Sequence, residues 1–250
     1  MKQSIASVDV GDATVDTLLQ RVTVRPGEAV DAAVSVEGGD GARSVGEVVL
    51  ELQTRCRGET GAETVTVDRL GLGDGLTVDP GESTVDETTV RIPYATPLTM
   101  DDVPVWAAAD FCDPEVEDTG AGEREREREP LAVRPTARME TVFDAADALG
   151  LSIRGVDCET DPYDRYVVRR YVQVFEFSPV GGPFEGAFER LSLVFDPAPE
   201  ALTVYAELDR TVDLLSALAL ADERKTRFAL PETDADAARR QLRQTVERLL

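Results

Sequence analysis

Apolar and polar positions alternate along much of this chain, and Pro-Gly-Glu corners punctuate the alternation. Val22 and Val24 alternate with polar neighbours before Arg25-Pro26-Gly27-Glu28, and Val30, Val34 and Val36 follow before Gly38-Gly39. A period of two marks a strand with one buried face. Proline sets φ at the first corner position and glycine accepts positive φ at the second, so this segment predicts a strand, a turn and a strand. Val48, Leu50 and Leu52 begin a second such pair, with Val65 and Val67 resuming after the Gly58 to Gly61 break. Leu76-Thr77-Val78-Asp79-Pro80-Gly81-Glu82 repeats the first corner, and Val85 to Ile92 and Val103 to Ala109 supply two more strands. Strands at this spacing suit an antiparallel sandwich rather than alternating strands and helices.

The second half mixes periods. Thr136 is placed to cap a helix over 136–149, with Met139, Val142, Phe143, Ala146 and Leu149 at helical spacing and Gly150 closing its end. Strands are predicted at Leu151 to Val156, Tyr166 to Phe177 (with its run YVQVFEF), Gly186 to Phe195, Leu202 to Leu208 and Thr226 to Leu230. A C-terminal helix is predicted over 231–250. Thr233 and Asp236 have capping-box-like spacing, and Ala238, Leu242, Val246 and Leu249 share a face. That stripe is covered either by its own domain or by a partner, including a second copy of the chain.

Between the halves the run DPEVEDTGAGEREREREP lacks the apolar content to join a core, which predicts a solvated linker over 111–130. The boundaries that follow are 1–110 for a first domain and 131–230 for a second. The Glu-Arg alternation from Glu123 to Glu129 could alternatively serve as a docking tail.

Charge changes the picture of partners. The 49 Asp and Glu against 26 Lys and Arg give a formal charge of −23, and pI is near 4.3. Phosphate backbones and anionic lipid surfaces are repelled, so neither nucleic acid nor membrane partners are expected. Only Lys2 and Lys225 are lysines, the other basic residues being arginine. That skew, with the acidic excess, is the pattern of proteins from salt-loving archaea and predicts salt-dependent folding. The N-terminus lacks the apolar core of about 7 to 15 residues that a signal peptide needs, and no run of about 18 apolar residues exists. A cytoplasmic protein is expected.

Candidate chemistry is scarce. The chain has no histidine, which removes the usual general base, the Ser-His-Asp arrangement and most transition-metal sites. Cys56, Cys112 and Cys158 are odd in number and widely spaced, which argues for buried thiols over a disulfide framework or a zinc site. Gly71-Leu72-Gly73-Asp74-Gly75 lacks the ending of a phosphate loop and reads as a turn. The run Asp157, Glu159, Asp161 and Asp164 has spacings loosely like a calcium loop without its glycine or its final glutamate. Arg165, Arg169 and Arg170 follow it; they are the candidate partner-binding residues, set either to latch the domains together or to meet a partner's acids. No catalytic, metal or cofactor site is expected.

The ordered segments carry a resemblance. Asp9-Val10-Gly11-Asp12-Ala13-Thr14-Val15-Asp16-Thr17, Val24-Arg25-Pro26-Gly27-Glu28, Val34-Ser35-Val36-Glu37-Gly38-Gly39 and Leu50-Glu51-Leu52-Gln53-Thr54 resemble the SpoOM sporulation-control family. So do Ala132-Val133-Arg134-Pro135, Leu149-Gly150, Val172-Gln173-Val174-Phe175-Glu176-Phe177 and Glu207-Leu208-Asp209-Arg210 in the second half. The segment from Cys112 to Glu129 is longer and more charged than the family pattern, and the stretch after Arg210 is richer in alanine and leucine.

The resemblance implies a mainly β protein: two arrestin-like antiparallel β-sandwich domains joined by a hinge, a short helix in the second domain and a C-terminal helix. It implies a non-enzymatic adaptor or regulator, associated in spore-forming bacteria with control of sporulation, that binds protein partners along sheet edges or in the interdomain groove. The alternatives are a sandwich binding a small molecule or carbohydrate through Trp106, Tyr163 or Tyr166, and an enzyme using carboxylates alone.

Overall fold

The structure is a computed structural model that describes residues 3–10, 12–73, 75–111, 128–160, 170–209 and 225–250. The fold is mainly β with two α-helices, and the chain forms two compact units. The first comprises Met1–Arg55, Thr64–Thr99 and Pro104–Arg134; the second comprises Cys56–Glu63, Met100–Val103 and Pro135–Leu250.

The first unit contains β1 (Gln3–Val10), β2 (Ala13–Leu19), β3 (Thr23–Val24), β4 (Ala29–Glu37), β5 (Arg43–Val45), most of β6 (Val48–Gly58) and of β7 (Gly61–Gly73), β8 (Leu76–Val78), β9 (Ser83–Arg91), β10 (Val105–Phe111), β11 (Glu129–Pro130) and β12 (Ala132–Val133). One antiparallel sheet runs β1-β2-β4-β9. In the other, β6 lies between β10 and β7, with β11 beyond β10. Ala13, Val15, Thr17 and Leu19 of β2 and Val30, Ala32, Val34 and Val36 of β4 are buried, as period-two patterning requires. The first Pro-Gly-Glu corner closes as expected. Gly27 takes φ +80°, and Glu28 N–H donates to the Arg25 carbonyl at 3.1 Å.

The second unit is a meander of β13 (Leu151–Thr160), β14 (Tyr171–Pro179), β15 (Arg190–Pro197), β16 (Leu202–Asp209) and β17 (Lys225–Leu230), with helices α1 (Ala137–Ala148) and α2 (Ala235–Leu249). The two helices pack on each other, α1 against β13 and α2 against β16 and β17. Phe143 of α1 meets Phe175 and Phe195 with ring centres at 5.3 Å, and Phe175 stacks on Phe195 at 4.9 Å. On the opposite face Val172, Val174 and Val194 are buried together, with Tyr205 packed on them. Both faces of β14 are therefore covered, which is why its apolar positions run together instead of strictly alternating.

Helix α1 starts where the sequence indicates: the Thr136 hydroxyl accepts from Met139 N–H at 3.3 Å, and Gly150 ends it at φ +75°. Helix α2 is capped differently from the expectation. Asp234, not Thr233, accepts from the backbone N–H of Ala237 at 2.9 Å, because its carboxylate stands one residue before the first helical turn. The apolar face of α2 (Ala238, Leu242, Val246, Leu249) is buried within its own unit. The strand expected from Gly186 begins only at Arg190. Gly182–Phe184 instead form a 3₁₀ turn that buries Phe184, and Phe188 is buried beside it.

Two of the three cysteines are not the buried thiols expected from their spacing. Cys56 and Cys158 are joined by a disulfide, with Cα atoms 4.5 Å apart. They lie 102 residues apart in sequence, and only the placement of the last residues of β6 beside β13 brings them together.

Candidate functional site

The sheet β1-β2-β4-β9 ends at β9, beyond which no further strand pairs among the described residues. The register sets Thr84 opposite Val36, Asp86 opposite Val34, Thr88 opposite Ala32 and Val90 opposite Val30. Directly opposite residues share a face, so these four positions of β9 point to the same side as the buried row of β4. Three of the four are polar. The outward positions include Val85, which is 57% exposed, and Glu87.

Asp86, Glu87 and Thr88 line an open groove of about 750 Å³ with Glu47 and with Gly71, Leu72 and Gly73 at the end of β7. Leu72 is its buried apolar floor, while Glu47 and Glu87 are exposed. Gly71 has open space where a side chain would stand, and at Gly73 a Cβ would sit 3.3 Å from the Asp86 carboxylate. Gly71–Gly73, expected in a turn from their glycines, instead end strand β7 and form one wall of a cleft whose other wall is a strand edge. An unpaired edge offers backbone N–H and C=O groups to an added strand, and the inward carboxylate of Asp86 discourages a second copy of the same acidic edge from pairing there.

Of the candidate partner-binding arginines, Arg165 and Arg169 lie outside the described residues, as do Asp161, Tyr163, Asp164 and Tyr166. Arg170 is exposed immediately before β14. The described part of the acidic run meets another arginine. Arg57 contacts the Glu159 carboxylate at 2.5 Å and that of Asp157 at 3.9 Å. The hydrogen bond to Glu159, and then the charge of Asp157, raise the Arg57 guanidinium above its ordinary pKa. Sequence proximity pointed to Arg165–Arg170; only the β6–β13 bridge shows Arg57. Among the described residues no group of three His, Cys, Asp or Glu side chains is placed to hold a metal ion.

The outer face of β6 holds a second polar group. Glu51 is buried and accepts from the Thr66 hydroxyl at 2.7 Å; Arg69 approaches it at 3.8 Å and binds Asp110 at 2.6 Å. That Asp110 bond is the main reason the Arg69 pKa is raised. Nearby, the ring of Trp106 is occupied by its own chain, with the Arg55 and Arg128 guanidinium carbons 5.5 and 5.8 Å from its centre. Trp106 thus packs against arginines of its own chain.

A family profile described as SpoOM protein matches residues 1–212. The chain belongs to the SpoOM protein family. It is 30% identical over 215 residues to the sporulation-control protein spo0M of Bacillus subtilis (strain 168), a match covering 84% of this chain and 80% of that protein. The crystal structure of Spo0M, sporulation control protein, from Bacillus subtilis superposes with a TM-score of 0.78 at 25% identity, covering 96% of this chain and 100% of that one. The SpoOM resemblance and the mainly β fold it implies both hold. No described helix is long and apolar enough to cross a membrane.

Proposed function

We propose that this SpoOM-family chain is a non-enzymatic regulatory adaptor of the sporulation-control type, and that it takes up an extended segment of a partner protein alongside β9. The observation that carries this reading is the reversal of pattern on the edge strand. Thr84, Asp86 and Thr88 stand where the neighbouring strand is apolar, and Asp86 and Thr88 line a groove instead of a closed core. Added-strand hydrogen bonds supply affinity, and alternate side chains of the segment supply specificity. A segment fitting this cleft presents an apolar residue to Leu72 and a lysine or arginine to Asp86 and Glu87. A segment lacking the cation leaves a partly buried carboxylate unanswered, which gives discrimination as well as attraction.

The test is selection of ten-residue peptides from a random display library on the full chain. Enrichment of alternating sequences with Lys or Arg, and at least about ten-fold weaker binding to Asp86→Lys, corresponding to about 1.4 kcal/mol, is the expected result. Peptides without a cation, or binding indifferent to both Asp86→Lys and Val85→Pro, would remove the reading.

A further inference from the structure

The second unit holds a covalent bond that docking at β9 does not use. The end of β6 and the turn that follows it, residues 56–63, belong to this unit. Among the described residues, they meet β13 through one parallel bridge, Arg57 with Glu159, through the Arg57 ion pairs with Glu159 and Asp157, and through a long contact of 3.5 Å from the Thr160 hydroxyl to the Arg57 carbonyl. Residues 59–63 are exposed. An isolated bridge and exposed ion pairs hold a segment weakly, because water and salt compete for both. The covalent fastening is the Cys56–Cys158 bond.

We propose that Cys56 and Cys158 form a reversible thiol–disulfide pair whose state decides whether residues 56–63 stay docked on β13. Reduction proceeds by exchange. A low-molecular-mass thiolate attacks one sulfur and releases the other as a thiolate; a second such thiolate then displaces the mixed disulfide, giving two protein thiols and one small-molecule disulfide. In the reverse direction one protein thiolate attacks a peroxide, forming a sulfenic acid and one water. The other thiolate displaces the hydroxyl as a second water, so two thiols and one peroxide give the disulfide and two waters. Both sulfurs are buried, Cys56 at 1% and Cys158 at 4% exposure. Exchange therefore occurs in molecules whose segment has lifted, and oxidation traps the docked form. The parallel bridge returns the two residues to each other after each opening, so the bond can re-form without a search of the whole chain.

The test uses the full chain with Cys112→Ser, so that only this pair reports. Hydrogen exchange is followed by mass spectrometry before and after dithiothreitol, and again after the reductant is removed and one equivalent of hydrogen peroxide is added. The expected result is exchange at residues 56–63 faster by about ten-fold or more on reduction, unchanged exchange in β15 and β16, and full recovery with peroxide. Identical exchange in the two states would overturn the proposal, as would a rise throughout β13 to β17, which would mark the bond as a staple of the whole unit. A Cys56→Ser, Cys158→Ser chain should show the reduced pattern and ignore peroxide. If that variant fails to fold, the two redox states of the Cys112→Ser chain decide the question alone.

Discussion

Arg138 on α1 donates from Nε to the backbone carbonyl of Pro231 at 2.9 Å, tying the first helix to the residues that lead into the second. The same guanidinium reaches the carbonyls of Ala198, Pro199 and Glu200 at 3.4, 3.1 and 3.2 Å, in the turn between β15 and β16. One planar fork thus ties two separate stretches of chain to α1. Lysine carries the same charge but cannot present several donors in one plane. Arg138→Lys is expected to cost about 1–2 kcal/mol and Arg138→Ala somewhat more, since hydrogen bonds from a charged donor are worth about 1.5–3 kcal/mol. Urea unfolding with an unchanged slope would measure this. A lysine variant indistinguishable from the parent would show that the fork is ornamental.

Gly150 and Gly186 share a backbone conformation but not a setting. Both have φ just above +70°, yet a Cβ on Gly150 would stand 2.3 Å from the Gly181 carbonyl oxygen, while around Gly186 there is open space. Gly186→Ala should therefore cost only the left-handed backbone term, about 1–2 kcal/mol. Gly150→Ala meets backbone that cannot swing aside, and it should lose clearly more. Thermal melts of the two variants side by side make the comparison, and equal losses would mean that the Gly181 loop moves freely.

Local chemistry made much of this fold readable. The corner at Pro26-Gly27, the cap at Thr136 and the closing Gly150 each depend on residues within a few positions of one another, and each stands where the pattern placed it. The buried face of β2 is not legible in the sequence, although Ala13, Val15, Thr17 and Leu19 alternate, because a polar threonine interrupts the apolar series. The β9 edge could not be read from its pattern. Val85 and Val90 have opposite parity, so the alternation gives no single buried face, and only the pairing with β4 shows that Asp86 turns inward. The Cys56–Cys158 bond and the Arg57–Glu159 pair depend on topology, which sets side by side residues about a hundred positions apart. Spacing rules for cysteines describe local motifs and are silent on such a contact.

Phe143 is the side chain through which α1 reaches the aromatic residues of β14 and β15, touching Phe175, Phe177 and Phe195. Truncating it removes edge-to-face contacts as well as apolar area, and the rings beneath are too constrained by their strands to fill the space. Phe143→Ala should cost about 3 kcal/mol, the lower end for buried phenylalanines because this one is only half-buried. Phe143→Leu should recover about half of that. Chemical denaturation of both variants tests the order. A leucine as damaging as the alanine would place the loss in ring geometry rather than in volume.

Salt should stabilise this protein, and the sign follows from comparing two opposed effects. Exposed ion pairs such as Arg190–Glu176 at 2.9 Å and Arg239–Asp236 at 3.1 Å contribute about 0–1 kcal/mol each and are weakened by screening. Against them stands a formal charge of −23, whose self-repulsion acts over the whole surface when the Debye length is about 30 Å in dilute buffer and fades when it falls to about 3 Å in molar KCl. Compaction brings the excess carboxylates closer together, so relieving their repulsion favours the folded state by more than the lost pairs cost. The melting temperature is expected to rise by about 10 °C or more between 10 mM and 2 M KCl, equivalent to about 3–5 kcal/mol for a chain of this size. Scanning calorimetry across that range gives the answer, and a melting point that stays level or falls would show that the acidic surface is already neutralised by its own arginines.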